Sequence, residues 1–179
     1  MTTNPTLSLK DLVGELEMAR RHSIDLVADL TPQQVDWRPH ANSSAIAWHL
    51  GHQAAVGHYM VRNLTAAEPP IDREFDQIFD SATVEPDRSP LPPLAAIVDY
   101  RDAVAASTKA TLDRIIERRV QAPDQLAAVA AGLLHALINH EYQHSTWIGE
   151  VRDTMIDTPS PAPESDRIIS VEGYWMASR

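Results

Sequence analysis

The chain has no cysteine among its 179 residues. This absence excludes disulfide bonds, metal sites built from thiolates and a cysteine nucleophile. If a thiol takes part in the chemistry of this protein, it must therefore come from a second substrate. A chain of this length can bury enough surface to fold as one domain without a disulfide or a structural metal.

Positive charge is also scarce, because 15 Lys and Arg residues face 25 Asp and Glu residues, for a net charge of −10. A surface that binds phosphates needs clustered Lys and Arg side chains. The pairs Arg20-Arg21 and Arg118-Arg119 are too sparse for that purpose. The composition therefore argues against nucleic acid and anionic membranes as partners and leaves a small molecule as the expected substrate.

Long hydrophobic runs are missing as well. The longest nearly apolar run, from Leu126 to Ile138, is too short to span a bilayer and contains His135. The N-terminus, from Met1 to Pro5, lacks the basic and apolar regions of a signal peptide. We therefore expect no membrane partner and a cytoplasmic location.

What the sequence does contain is helical periodicity. Apolar residues at steps of three and four predict long helices at about 8–30, from Ser43 or Ser44 to about 64, at about 94–118, and from Pro123 to about 155. Ser8, Thr31 and either Ser43 or Ser44 are the expected N-caps, and shorter helical turns are predicted at 31–34 and 73–79. With no strand pattern among these segments, the prediction is an all-α fold, a four-helix bundle over residues 1–155.

Two segments connect or follow the predicted bundle. The proline-rich stretch 65–93 is a long crossover between the second and third long helices; a passive connection is favoured over a substrate lid. Residues 156–179 form a short C-terminal tail, predicted irregular apart from a short strand or hairpin near 167–175. A lone hairpin is not stable in water, so we expect Ile168, Ile169, Val171 and Trp175 to pack on the bundle or on a second chain.

Two histidines lie one helical turn apart in the last long helix. His140 and His144 are i and i+4, so a helix places them about 40° apart on one face. They continue the apolar stripe of Leu137 and Ile148, which a helix turns towards a core. Histidines there need a partner, because an unpaired buried ring nitrogen is costly. A metal ion would be such a partner, and so would a carboxylate.

A catalytic metal site of this kind needs a third protein ligand. The second long helix offers His49 and His52, and helical phase favours His52 only weakly. The histidines at 22, 40, 58 and 135 are expected to be solvated or locally bonded. Arg20 and Arg101 lie on apolar stripes, where pairing with a structural carboxylate is favoured over binding an anionic substrate.

Three segments resemble motifs of the DinB-like superfamily, in the family's order. Residues 30–39 read LTPQQVDWRP, residues 44–52 read SAIAWHLGH and residues 140–144 read HEYQH. The resemblance implies a helical bundle that binds a divalent metal through His52, His140 and His144. It also implies a homodimer. After His144 the family often has an Arg-Gly pair where this chain has Ser145-Thr146, a difference that bears on the substrate.

Similarity to this superfamily also implies an activity, because relatives include mycothiol-dependent maleylpyruvate isomerase and other thiol transferases. We therefore expect a metal-dependent enzyme that transfers a low-molecular-weight thiol, such as mycothiol, to a small electrophile or isomerises that electrophile. Three imidazoles suit zinc, nickel or iron. A metal-dependent hydrolase and a non-catalytic metal- or ligand-binding bundle are the alternatives. Glu141 is a poor base for hydrolysis, because its side chain points about 100° from that of His140.

Overall fold

The computed structural model describes residues 7–66, 68–80, 85–86 and 88–177. The described residues form six helices and a small sheet of two strands. The helices are α1 (Leu9–Asp25), α2 (Pro32–Val35), α3 (Ile46–Val61), α4 (Arg73–Phe79), α5 (Leu94–Ile116) and α6 (Pro123–Asp153), and the strands are β1 (Ile168–Val171) and β2 (Tyr174–Ala177). The protein is thus mostly helical, as the sequence predicts.

The four long helices pack together through two groups of buried apolar side chains. Helix α1 lies against α6, and α3 lies against both α5 and α6. One apolar group surrounds Trp48 and includes Phe79 of the short helix α4. The other joins α1 to α5 and α6 around Tyr142. Because α3 touches both α5 and α6, its side chains lie at the centre of the protein.

Helix starts agree with the sequence at two of three capping sites. Ser8 caps α1 in a capping box with Asp11, and Thr31 caps α2 in the same way. The expectation that Ser43 or Ser44 caps α3 is wrong, because α3 begins after Ala45 and has no side-chain cap. The Ser44 hydroxyl instead accepts a hydrogen bond of 3.0 Å from the backbone N–H of Glu85.

Helix α1 ends at Asp25, although apolar periodicity continues to Leu30. Beyond the helix the chain forms tight turns, in which the N–H of Val27 donates to the Ile24 carbonyl and that of Leu30 to the Val27 carbonyl. These turns still bury Leu26 and Val27 in the core. The apolar pattern therefore predicted correctly that Leu26 and Val27 are buried, but these residues lie in a turn and not in a helix.

The C-terminal tail contains the hairpin that the sequence allowed. Strands β1 and β2 pair antiparallel through a turn in which Glu172 and Gly173 both have positive φ. This is the conformation of the tight two-residue turns that match strand twist.

The hairpin packs on α6, and only part of the burial expected for the tail is found. Ile168 and Trp175 pack against the second apolar group. Ile169 and Val171 remain exposed on the opposite face of the hairpin, so for them packing on a second chain stays the prediction.

Among the described residues, no helix combines the length and the hydropathy that crossing a membrane requires.

Candidate metal centre

Three histidines from two helices converge at the contact between α3 and α6. His52 comes from α3, and His140 and His144 come from α6. One ring nitrogen from each lies within 4.8 Å of the others. The helix spacing of the α6 pair and the close packing of α3 on α6 together produce this geometry. A divalent ion could be held here by three imidazoles, with a further position left for a substrate or water.

The orientation of His52 is set by a backbone carbonyl outside its own helix. Its Nδ1 lies 2.8 Å from the carbonyl oxygen of Phe79, the last residue of α4. A carbonyl only accepts, so His52 Nδ1 carries the proton and donates it. The lone pair of His52 is therefore on Nε2, the nitrogen that faces His140. Metal-binding histidines are typically held in this way, with the second nitrogen donating to a carbonyl or carboxylate.

His140 and His52 approach each other closely. Their Nε2 atoms are 3.3 Å apart. The Nδ1 atom of His140 is buried and has no hydrogen-bond partner among the described residues. A buried polar atom without a partner costs free energy in a protein that has no other use for it. The two facing Nε2 atoms fit a site shaped for a ligand.

His49 contacts His144 but does not belong to the cluster of His52, His140 and His144. Its Nδ1 lies 2.9 Å from Nδ1 of His144. If His144 donates in this pair, its Nε2 keeps a lone pair for an ion, and His49 holds the ring in place. The cluster that could hold an ion includes His52 and does not include His49, and the choice of His52 as a ligand stays a prediction.

Burial keeps these imidazoles neutral. Desolvation is the main cause that lowers the pKa of His140 to about 4, with neighbouring His52 adding to it. Desolvation also lowers the pKa of His49 to about 3 and lowers the pKa values of His52 and His144. Neutral imidazoles offer lone pairs, so at neutral pH no proton needs to be removed before an ion binds.

Aromatic side chains enclose the cluster on two sides. The Trp48 ring stacks on His52, with ring centroids 4.6 Å apart, and Trp147 meets His144 edge-on at 4.9 Å. Such walls exclude water and restrict ring rotation, which strengthens electrostatic interactions inside the site.

Glu141, between the two α6 histidines, points into a separate buried polar network. One of its oxygens lies 3.5 Å from Arg101 of α5, and the other lies 3.9 Å from Arg20 of α1. Gln53 of α3 donates to the Glu141 backbone carbonyl at 2.8 Å. Both arginines are therefore paired with a structural carboxylate, as favoured from the sequence. The network connects all four long helices directly beside the histidines.

The remaining histidines do not approach the cluster. His22 and His58 are buried, so the solvated half of the expectation is wrong for them, and local bonding of His22 stays a prediction. His58 lies 3.8 Å from Asp76, which belongs to a different helix. His40 is bonded locally, accepting from the backbone N–H of Asn42.

Three features of the site lay beyond the sequence interpretation. They are the Phe79 carbonyl, the contact of His49 with His144, and the position of Glu141 between two arginines. Only the position of Glu141 could have been inferred from the sequence, because two arginines on apolar stripes require a buried carboxylate. A search for acidic residues in phase with a stripe on a facing helix would have found Glu141.

These observations define a class of protein, namely a helical protein whose facing helices present a buried cluster of three neutral histidines able to hold a metal ion. The chain belongs to the DinB superfamily, because the model of that family matches residues 15–148. The match covers most of the chain and includes all three histidines. Comparison with curated proteins gives no match.

Proposed function

We propose that this protein is a metal-dependent enzyme in which His52, His140 and His144 bind a divalent metal ion. The substrate chemistry that we propose is the transfer of a low-molecular-weight thiol to a small electrophile, or isomerisation of that electrophile. The observation that carries the proposal is the convergence of the three ring nitrogens within 4.8 Å. A bound divalent ion would supply a Lewis acid that favours the thiolate form of a coordinated thiol at neutral pH.

The protein's own part in this chemistry is to orient ligands and exclude water. The Phe79 carbonyl fixes the tautomer of His52, and His49 holds the ring of His144. Because all three ligands are neutral, the ion would keep its full charge for the substrate. Imidazole ligands of this kind suit zinc, nickel or iron.

Thiol chemistry is favoured over hydrolysis by the surroundings of the cluster. Hydrolysis at a metal is aided by a general base within hydrogen-bond reach of the attacking water. Glu141 is the carboxylate next to the three histidines in sequence, yet it lies between Arg20 and Arg101 and is paired with both of them. The chain contains no cysteine that could compete with an external thiol for the ion.

A cavity of about 350 Å³ beside the cluster offers room for a small molecule. His49 and Trp147, which both contact His144, line the cavity, so it reaches the cluster through these two side chains and not through the three proposed ligands themselves. Ser44 and Glu150 line the same cavity and supply polar groups. The volume fits a compact metabolite, because ligand pockets for drug-sized molecules start at roughly 300 Å³.

The arrangement that we propose for the whole protein is a bundle of the four long helices. The contacts of α3 with α5 and α6, and of α1 with α6, support this description. Residues 62–93 would then be the crossover between α3 and α5, with α4 inside it.

Metal content is the first test of the proposed function. Protein purified without an affinity tag should contain about one divalent ion per chain by elemental analysis. Alanine at His52, His140 or His144 removes one of three ligands and should abolish stable binding. His22→Ala is the matched control, since it removes a buried histidine of α1 outside the cluster. Loss of metal in this control, or unchanged content in His52→Ala, would contradict the ligand assignment.

Activity is the second test. Metal-loaded protein is incubated with mycothiol, bacillithiol or glutathione and a panel of electrophiles, and thiol loss is followed over time. The wild-type protein should consume thiol much faster than His144→Ala. Equal rates across the panel would refute the thiol reaction and leave a hydrolase or a non-catalytic binding bundle.

A further inference from the structure

The short helix α4 is docked directly against the histidine cluster. Phe79, its last residue, is fully buried, and its ring lies over Gly51 of α3. A Cβ atom at position 51 would overlap that ring, so the approach depends on glycine. Gly51 adjoins His52 in sequence. Helix α4 therefore packs on α3 directly beside His52, one of the proposed metal ligands.

This docking is what brings the Phe79 carbonyl to His52. The carbonyl accepts from His52 Nδ1 at 2.8 Å and so determines which nitrogen faces the cluster. If α4 shifted by an ångström or two, His52 would lose this acceptor. The ring could then adopt the other tautomer or rotate away from His140. The state of a proposed ligand thus depends on how firmly α4 is held.

Asp76 is the residue that holds α4 to the long helices. Its carboxylate accepts a hydrogen bond of 2.6 Å from the Tyr100 hydroxyl of α5 and lies 3.7 Å from Arg62, at the end of α3. His58 of α3 also faces it at 3.8 Å. The Asp76 backbone carbonyl accepts from the N–H of Asp80, so a hydrogen-bonded turn encloses Phe79. An anchored Asp76 therefore fixes the position of the Phe79 carbonyl.

We propose that Asp76 is a positioning residue of the metal centre, which holds α4 through Tyr100 so that the Phe79 carbonyl fixes His52 for coordination. This inference rests on the metal-binding function proposed above. Asp76 does not touch the cluster itself, and its effect is transmitted through one helical turn. Partners that orient a metal ligand typically change metal affinity by 10- to 100-fold when they are removed.

The experiment compares two variants that each lose one O–H to carboxylate hydrogen bond. Tyr100→Phe removes the bond to Asp76, and Ser165→Ala removes a 2.6 Å bond to Glu15, near the tail. Metal affinity is measured by competition with a chelator. Tyr100→Phe should bind the metal about tenfold or more weakly than the wild type. Ser165→Ala should keep wild-type affinity.

A second readout uses the metal-free protein. Nitrogen–hydrogen correlation spectra of the imidazoles report the tautomer of His52, whose signals are assigned with His52→Gln. The wild type should show the Nδ1–H tautomer, and Tyr100→Phe should show a mixture. If the wild type binds no metal, the proposed function fails, while this spectrum still decides whether Asp76 positions His52.

Conservative rescue distinguishes positioning from a general loss of stability. Asp76→Asn keeps a side-chain oxygen that can accept from Tyr100, whereas Asp76→Ala removes the acceptor. Asp76→Asn should therefore lie closer to wild type in metal affinity and in tautomer than Asp76→Ala. A wild-type His52 spectrum in Tyr100→Phe, or an equal loss of affinity in Ser165→Ala, would overturn the proposal.

Discussion

Acidification should destabilise the metal-free protein well before its carboxylates are protonated. Burial lowers the pKa of His140 to about 4 and that of His49 to about 3, below the ordinary value for histidine of about 6.5. The unfolded chain therefore binds protons more readily than the folded protein does. The corresponding stability is fully present above pH 6.5 and is lost as the pH falls from about 6.5 towards the folded-state values.

The magnitude follows from the difference between folded and unfolded pKa values. At about pH 5 an unfolded histidine is almost fully protonated, while His140 and His49 remain largely neutral in the folded protein. Each should then lower the free energy of unfolding by about 2 kcal/mol relative to about pH 7.5. Together the two would remove about 4 kcal/mol from a total that is typically 5–15 kcal/mol for a domain.

Urea unfolding at about pH 7.5 and about pH 5, with metal removed by a chelator, measures this difference. His140→Asn lacks one titrating group, so its free energy of unfolding should fall by about 2 kcal/mol less on acidification than that of the wild type. His40→Asn, which removes an exposed histidine, should behave as the wild type does. The reasoning would be refuted if the wild type kept its full stability at about pH 5, or if His140→Asn lost as much as the wild type.

Three further changes test the surrounding structure. Glu141→Gln leaves two buried arginines without their counter-charge and should lower the free energy of unfolding by about 3–5 kcal/mol in urea melts; a change below about 1 kcal/mol would contradict the buried pairing. Gly51→Ala should destabilise the protein because its Cβ overlaps the Phe79 ring, whereas Gly132→Ala on α6, with open space around it, should stabilise by about 1 kcal/mol. We also propose a homodimer, in which the exposed hairpin face takes part. Sedimentation should give twice the chain mass, and Ile169→Lys should shift it towards the monomer; a monomeric wild type at micromolar concentration would refute this.

The sequence by itself determined the positions of the helices and the spacing of the histidine pair in α6. Helical periodicity is a local property, so the position of Arg73–Phe79 and the start of α6 at Pro123 could be predicted within the chain alone. The spacing of His140 and His144 also needs nothing more than one helix. The end of α1 could not be found this way, since Leu26 and Val27 are buried by a turn as effectively as by helix.

Only the tertiary structure separates the positions of His49 and His52. Both lie on α3 within one turn, and the crossing of α3 over α6 brings one to the cluster and the other to the far nitrogen of His144. The partner of His52 is a main-chain carbonyl, and every residue has one. No side-chain pattern could therefore mark Phe79 for this role, which follows from the docking of α4 on a glycine of α3.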